Sequence, residues 1–155
     1  NILNDISMPT IWLWPNIDAG SDEISKAIRI FREHNNADWL YLIKNLNPEI
    51  FQKLLKRAKC AVGNSSSFVR DTTFTGTPVV MIGDRQEHRE CGENLIVSSL
   101  DSKEIKKHIL TQIEHGKYKP SKLYGAGNAS AQIVKVLKSE KLSLKKELNY
   151  LNTNL

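Results

Sequence analysis

Residues 60–83 read CAVGNSSSFVRDTTFTGTPVVMIG, a stretch in which two short apolar runs flank one amphipathic segment. Each run, Cys60–Gly63 and Val79–Ile82, has the length and apolar character of a strand that a sheet buries on both faces. The serines between the two runs begin a helix, and Gly76-Thr77-Pro78 ends it. A strand, a helix and a second strand in this order predict one βαβ unit of a parallel sheet.

The same alternation extends along the chain in both directions and predicts an α/β fold, a parallel sheet covered by helices. The helix after the first strand is expected to have Ser21 as its cap, and the next helix begins at Asn47-Pro48-Glu49. Further helices are expected from Asp101 and after the glycine-rich turn Tyr124–Asn128. The predicted strands are Thr10–Trp14, Trp39–Ile43, Cys60–Gly63, Val79–Ile82 and Leu95–Val97. The apolar positions expected to be buried on the first two helices are Ile24, Ala27, Ile28, Ile30, Phe31, Ile50, Leu54, Leu55 and Ala58.

Composition and charge argue against several classes of protein. The 155 residues are 40% apolar, enough for one sizeable core, and no run of about 18 apolar residues could span a membrane. The two cysteines form neither a CxxC pair nor a disulfide framework, so a cytoplasmic location is expected. The excess lysine behind the formal charge of +5 lies mainly after position 103, where it alternates with acidic residues. That pattern favours a solvated face over a nucleic-acid surface.

The segment Gly63–Ser67 follows a predicted strand and opens a helix, at the edge of a parallel sheet where ligands bind. Helix N-termini at that edge offer free N–H groups and a positive dipole to phosphate, and glycine lets the backbone approach closely. Ordinary helix capping explains one of the hydroxyls of Ser65, Ser66 and Ser67 but leaves the others without a purpose. The cluster therefore predicts a phosphate or diphosphate site.

Asp71 lies six residues after Ser65, so its carboxylate can approach the same ligand. A carboxylate suits two neighbouring ribose hydroxyls, because both of its oxygens accept hydrogen bonds. An ion pair with Arg70, or simple solvation, is the alternative explanation. Asp71 is thus a candidate ribose contact.

Other candidates follow the ends of predicted strands. Arg85 can reach a phosphate or pack over a base, and Asn16 and Asp18 can close over the ligand, although an Asx turn explains them equally well. The four histidines are scattered without a metal-ligand spacing, and neither a P-loop nor a nucleophile elbow occurs. We therefore expect no metal, no cofactor and no acyl-transfer chemistry.

Several segments in combination resemble the UDP-N-acetylglucosamine 2-epimerases, especially the hydrolysing branch used in sialic acid synthesis. The resemblance runs from about residue 10 to about residue 138. The matching segments are Trp14–Ser21, Gly63–Ser67 with Val69-Arg70, Phe74–Val79, Gly83–Gln86, Arg89-Glu90, Gly92–Asn94 and Ser121–Gly125.

The resemblance implies the C-terminal domain of a GT-B enzyme, which is a three-layer Rossmann-like domain that holds UDP or UDP-N-acetylglucosamine. Residues 1–138 would form this domain, and residues 139–155 a C-terminal helix or tail. Leu46 falls where a contact to uracil would lie, Asp71 takes the place of a ribose-binding glutamate, and His88 stands where a small residue is usual. The implied UDP contacts are Asn16, Leu46, Ser65, Ser66, Asp71 and Arg85, with Asp18, Asn64, Ser67, Arg89 and Glu93 as further candidates.

The family's reaction eliminates UDP from the sugar and, in the hydrolysing branch, adds water to give N-acetylmannosamine. Its acid and base carboxylates lie on the N-terminal domain, so the resemblance implies no catalytic residue in this chain and no activity without that domain. It also implies that the first βα unit of the domain is missing and that the chain begins at the tail of the helix of that unit. Either the sheet closes over this gap or a second chain fills it, and the second alternative predicts a homodimer.

Two other functions stay open. A GT-B glycosyltransferase would share the fold and the ligand but transfer the sugar to an acceptor, and the segments Asn16–Gly20 and Arg85–Asn94 favour the epimerase. A non-catalytic nucleotide-binding or regulatory module is the second alternative.

Overall fold

The computed structural model of the chain describes residues 2–16, 20–35 and 37–140. The chain divides into two compact units, Asn1–Leu123 and Tyr124–Leu155. The elements in chain order are α1 (Ile2–Ile6), β1 (Thr10–Leu13), α2 (Ser21–His34), β2 (Leu40–Ile43), α3 (Pro48–Arg57), β3 (Ala61–Gly63), α4 (Ser66–Thr75), β4 (Val79–Ile82), β5 (Leu95–Ser98), α5 (Ser102–His115) and α6 (Ala129–Ser139).

All five predicted strands are present and all their pairings are parallel, which confirms the α/β class. They form two sheets rather than one: β1 pairs with β2, and β4 lies between β3 and β5. Among the described residues, no strand pairing joins the two sheets. One predicted alternative was that the sheet closes over the gap, which would pair a strand of one sheet with a strand of the other. The described strands show no such pairing.

The three-stranded sheet is covered on both faces. Side chains alternate along β4, so Val79 and Met81 pack with α3 and α4, while Val80 packs with α5 on the opposite face. All three are almost inaccessible to solvent. This arrangement of helix, sheet and helix confirms the predicted three layers.

Two of the predicted helix starts are confirmed by their capping hydrogen bonds. The Asn47 side chain accepts a hydrogen bond from the Glu49 N–H at 2.9 Å, directly before Pro48, and Asp101 caps α5. The prediction that Ser21 caps α2 is wrong. Gly20 holds the cap position with φ of 83°, and Ser21 is the first helical residue. A residue before the helix must leave helical geometry, and glycine adopts positive φ without steric cost.

The predicted apolar stripes on α2 and α3 are only partly buried. Ile28 is the buried residue of α2, whereas Ile24 and Ile30 are 49% and 46% exposed. Ile30 lies about 200° around the helix from Ile28, so the two cannot face the same layer. On α3, Leu55 is buried and Ile50 is exposed.

The second unit contains α6, which confirms the helix predicted after the glycine-rich turn. Residues 141–155 lie outside the described residues, so the predicted boundary between 138 and 139 stays a prediction. No helix in the described part of the chain is long and apolar enough to cross a membrane.

Candidate functional site

A cavity of about 370 Å³ opens where several elements of the first unit end or begin. It lies at the carboxyl ends of β1 and β2, against the first turns of α3 and one side of α4. Parallel strands direct their carboxyl ends to one edge, which is where α/β proteins bind ligands. The lining residues are Leu13, Trp14, Asn16, Lys44, Asn45, Leu46, Pro48, Phe51, Gln52, Ser67 and Asp71.

Four residues that the sequence nominated meet in this cavity: Asn16, Leu46, Ser67 and Asp71. They come from three parts of the chain, and Ser67 and Asp71 are four residues apart on α4, which puts them on one face of that helix. Asn16 is exposed and Asp71 is half-buried, so both side chains can meet a ligand from solvent.

Leu46 contributes to the cavity with its amide already engaged. The Leu46 N–H donates to Oδ1 of Asn45 at 2.9 Å. A ligand that hydrogen-bonds to the Leu46 backbone would therefore use the carbonyl oxygen of this residue, which accepts from an N–H or O–H donor.

The serine cluster forms the start of α4, as predicted. The Ser65 hydroxyl accepts from the Ser67 N–H at 3.3 Å and is the helix cap, while the Ser66 hydroxyl lies 3.5 Å from Nη2 of Arg70. The first turn of α4 contains no acidic residue, so nothing there offsets the positive end of the helix dipole. Arg70 lies near Ser66, and together they present donors and positive charge at one point.

Gly63 makes the sharp entry into this segment possible. Its φ is 149°, in the region that side chains other than glycine rarely adopt, and an added Cβ would lie 3.2 Å from the Phe68 ring. The backbone can thus turn from β3 into α4 over two residues, Asn64 and Ser65.

The long segment between β4 and β5 contains the remaining candidates. Arg85 is exposed and lies outside the residues that line the 370 Å³ cavity, as do Ser65, Ser66, Asn64 and Glu93. Arg89 lines a second cavity of about 570 Å³, between this segment, α4 and β5. Asp18 lies outside the described residues.

His88 lies in the same segment and has a φ of 66°, a positive value that residues other than glycine seldom adopt. Its side chain is exposed and lines the larger cavity. The left-handed conformation gives a physical reason for glycine at this position, because every other residue type has a Cβ, which is disfavoured there.

Several cavity residues were missed by the sequence reasoning, chiefly Trp14, Lys44, Phe51 and Gln52. Lys44 directly follows β2, and Phe51 and Gln52 lie on the first turns of α3, whose start was correctly predicted. Combining the strand end with that helix start would have identified them. The aromatic rings offer surfaces to a base, and Lys44 offers a positive charge.

The described residues contain no group of three or more side chains suited to hold a metal ion. Burial raises the pKa of the Cys60 thiol to about 12, so this residue is an inert packing group rather than a nucleophile.

Sequence comparison identifies the relatives of this chain. The family model for UDP-N-acetylglucosamine 2-epimerase matches residues 1–138. A UDP-N-acetylglucosamine 2-epimerase of Neisseria meningitidis serogroup B is 29% identical over 118 residues, which are 76% of this chain and 30% of the relative. A UDP-N,N'-diacetylbacillosamine 2-epimerase (hydrolyzing) of Legionella pneumophila is 29% identical over 133 residues, 86% of this chain and 34% of the relative.

A third relative, the GDP/UDP-N,N'-diacetylbacillosamine 2-epimerase (hydrolyzing) of Campylobacter jejuni, is 40% identical over 60 residues, which are 39% of this chain and 16% of the relative. The chain therefore spans about a third or less of the length of these curated relatives. Since the family match extends over residues 1–138 of 155, the chain belongs to the UDP-N-acetylglucosamine 2-epimerase family.

Proposed function

We propose that this chain is the UDP-binding C-terminal portion of a hydrolysing UDP-N-acetylglucosamine 2-epimerase. The observation that carries the proposal is the meeting of Asn16, Leu46, Ser67 and Asp71 in one cavity beside the start of α4. These residues come from three separate parts of the chain, and the sequence predicts a nucleotide contact for each of them.

The diphosphate is proposed to bind at the N-terminus of α4. The amide groups of a first helical turn lack intrahelical partners, and the dipole there favours negative charge. Ser66 and the nearby Arg70 add a hydroxyl and a guanidinium, and the absence of acid from the first turn removes a source of repulsion. Arg85 is proposed to contribute a further cation from the segment after β4.

The nucleoside is proposed to occupy the cavity itself. Asp71 would accept hydrogen bonds from the ribose hydroxyls, and the Leu46 carbonyl would accept one from the base. Phe51 and Trp14 supply aromatic surface for the base. Asp71 is shorter by one methylene than the glutamate implied at this position, which changes its reach to the ribose. One relative is named for both GDP and UDP, so GDP is a useful comparison in the binding test.

The chain is proposed to assist the reaction by binding the leaving group. When UDP leaves the sugar, negative charge grows on its terminal phosphate, and donors arranged around that phosphate stabilise the charge. The acid and base groups would come from an N-terminal domain of the same protein, and the present chain alone would not turn over. Two relatives are named as hydrolysing enzymes, which supports release of a free sugar, proposed here to be N-acetylmannosamine, rather than of an epimerised nucleotide sugar.

Calorimetric titration of the chain with UDP, UMP, GDP and CMP tests the proposal. We expect UDP to bind most tightly, because it alone combines the second phosphate with a base that donates from N3. A clear preference for GDP or CMP would overturn the assignment of UDP. For the full-length protein, UDP-N-acetylglucosamine should yield UDP and N-acetylmannosamine, and sugar found only on an acceptor would favour a glycosyltransferase.

The variant Ser66→Leu should weaken UDP binding at least about tenfold, because it removes a hydroxyl and places an apolar group at the diphosphate. Ser102→Leu is the matched control, since Ser102 is the first residue of α5 as Ser66 is of α4. The control should bind UDP like the unmodified chain. Retained affinity in Ser66→Leu would count against the phosphate role of the serine cluster.

A further inference from the structure

The Gln86 side chain joins two loops that are distant in sequence. Gln86 lies in the segment after β4, yet it is only 8% exposed. Its Nε2 donates to the backbone carbonyl of Asn64 at 2.9 Å. Asn64 belongs to the Gly63–Ser67 segment that begins α4, so the bond holds that segment from the side.

The Oε1 atom of Gln86 indicates that the glutamine is not there to stabilise the fold. Oε1 of Gln86 is buried and has no hydrogen-bond partner among the described residues. A buried acceptor without a partner costs free energy that an apolar side chain of the same size would avoid. The hydrogen bond from Nε2 to the Asn64 carbonyl is therefore the interaction that distinguishes Gln86 from an apolar side chain of the same size.

The far end of the segment after β4 is tied to α4 as well. Nδ2 of Asn94 donates to the Thr72 hydroxyl at 3.1 Å and to the Thr77 carbonyl at 2.7 Å. A Cβ added to Gly92 would lie 2.5 Å from Oδ1 of Asn94 and 2.9 Å from the Thr73 side chain, so this approach requires glycine. The segment is thus bonded to the chain just before α4 and again near the end of that helix.

We propose that Gln86 is a positioning residue that fixes the conformation of the Gly63–Ser67 segment. By holding the Asn64 carbonyl, it orients the peptide groups that follow, so that the N–H groups of the first turn of α4 face the diphosphate. The ligand in this statement rests on the proposed function, whereas the effect on the segment does not.

The variant Gln86→Met tests the role, because methionine fills a similar volume and has no N–H to donate. In the chain without nucleotide, amide order parameters from nitrogen-15 relaxation should fall for residues 64–67 and stay unchanged in α5. The melting temperature should stay the same or rise, since a buried unpaired oxygen is removed. The affinity for UDP should fall about tenfold, the loss expected when a charge-assisted hydrogen bond is misplaced.

Two further variants separate positioning from simple structural support. Gln112→Met removes the hydrogen bonds that Nε2 of Gln112 donates to the carbonyls of Val79 and Asn94, and should lower the melting temperature. Gln86→Glu replaces the donor with a carboxylate at neutral pH. Its segment order and UDP affinity, relative to the unmodified chain, should recover as the pH is lowered from about 7 to about 4, because the carboxyl, whose ordinary pKa of about 4.3 is raised by burial, takes up a proton that it can donate to Asn64.

Unchanged order parameters for residues 64–67 in Gln86→Met would overturn the proposal. So would a loss of order throughout the chain together with a lower melting temperature, as Gln112→Met should give. If the unmodified chain fails to bind UDP, the proposed function fails, and the order parameters of Gln86→Met still decide the positioning role.

Discussion

Ser65 and Ser66 are neighbours with different tasks. The Ser65 hydroxyl accepts the Ser67 N–H and so completes the start of α4, whereas Ser66 lies within reach of Arg70. Capping therefore accounts for one serine of the cluster, as the sequence suggested, and Ser66 stays a predicted phosphate contact. The sequence alone could not show which of the three adjacent serines is the cap, because this depends on the residue at which the helix begins.

The variant His88→Gly should raise the free energy of unfolding by up to about 1 kcal/mol. His88 has φ of 66°, where its Cβ is disfavoured and glycine is not. Denaturation by urea measures the change. Glu87→Gly is the control, because Glu87 is a neighbouring exposed residue outside the set with positive φ. An equal gain in both variants would show that backbone strain at His88 is not the cause.

The two cysteines should differ in their reactivity towards a thiol reagent. The thiolate is the reacting form, and burial raises the pKa of the Cys60 thiol to about 12, so Cys60 stays protonated at neutral and mildly alkaline pH. Cys91 is exposed. We expect the folded chain to label at Cys91 alone and the unfolded chain to label at both. Equal labelling rates in the folded chain would contradict this.

At the scale of elements, starts of helices were more predictable than their buried faces. Asn47 and Asp101 cap α3 and α5 as expected, because capping depends on residues a few positions apart. Ile24 and Ile30 of α2 were predicted to be buried and are exposed, because burial depends on which layer a helix packs against and on how much of the helix makes that contact. Local chemistry starts a helix, and packing selects its face.

The variant Asp101→Ala should lower the free energy of unfolding by about 1 kcal/mol, because it removes the cap of α5. The Asp101 carboxylate accepts from the N–H groups of Lys103 and Glu104 at 3.0 and 2.9 Å. Asp101→Asn keeps an acceptor oxygen and should stay near the unmodified chain in thermal denaturation. A loss as large with asparagine as with alanine would mean that capping is not the cause.

At the scale of the whole molecule, the described residues of the first unit form one two-stranded and one three-stranded sheet, with no strand pairing between the two. The crossover from β2 to β3 runs through α3, which packs beside α4. Among the described residues, β1 pairs only with β2 and β3 pairs only with β4, so one edge of each of these two strands has no strand partner.

We therefore expect the chain to associate in solution, with a second copy supplying backbone partners to these edges. Sedimentation equilibrium over a range of concentrations should give the mass of a dimer. A monomer at all concentrations would rule out this association and leave the two sheets separate. Lower salt should change the result little, since strand pairing rather than charge would hold the copies together.

The sequence by itself determined the strands, the start of α4 and several residues of the candidate site, because these follow from apolar run length, capping chemistry and functional groups in adjacent positions. Only the tertiary structure decided that Lys44 and Phe51 lie in the same cavity as Asp71, that Gln86 holds Asn64, and that the strands form two sheets. Each of these joins residues far apart in the chain. Such contacts depend on how the layers pack against each other, and a local sequence pattern does not predict which distant residues this packing brings together.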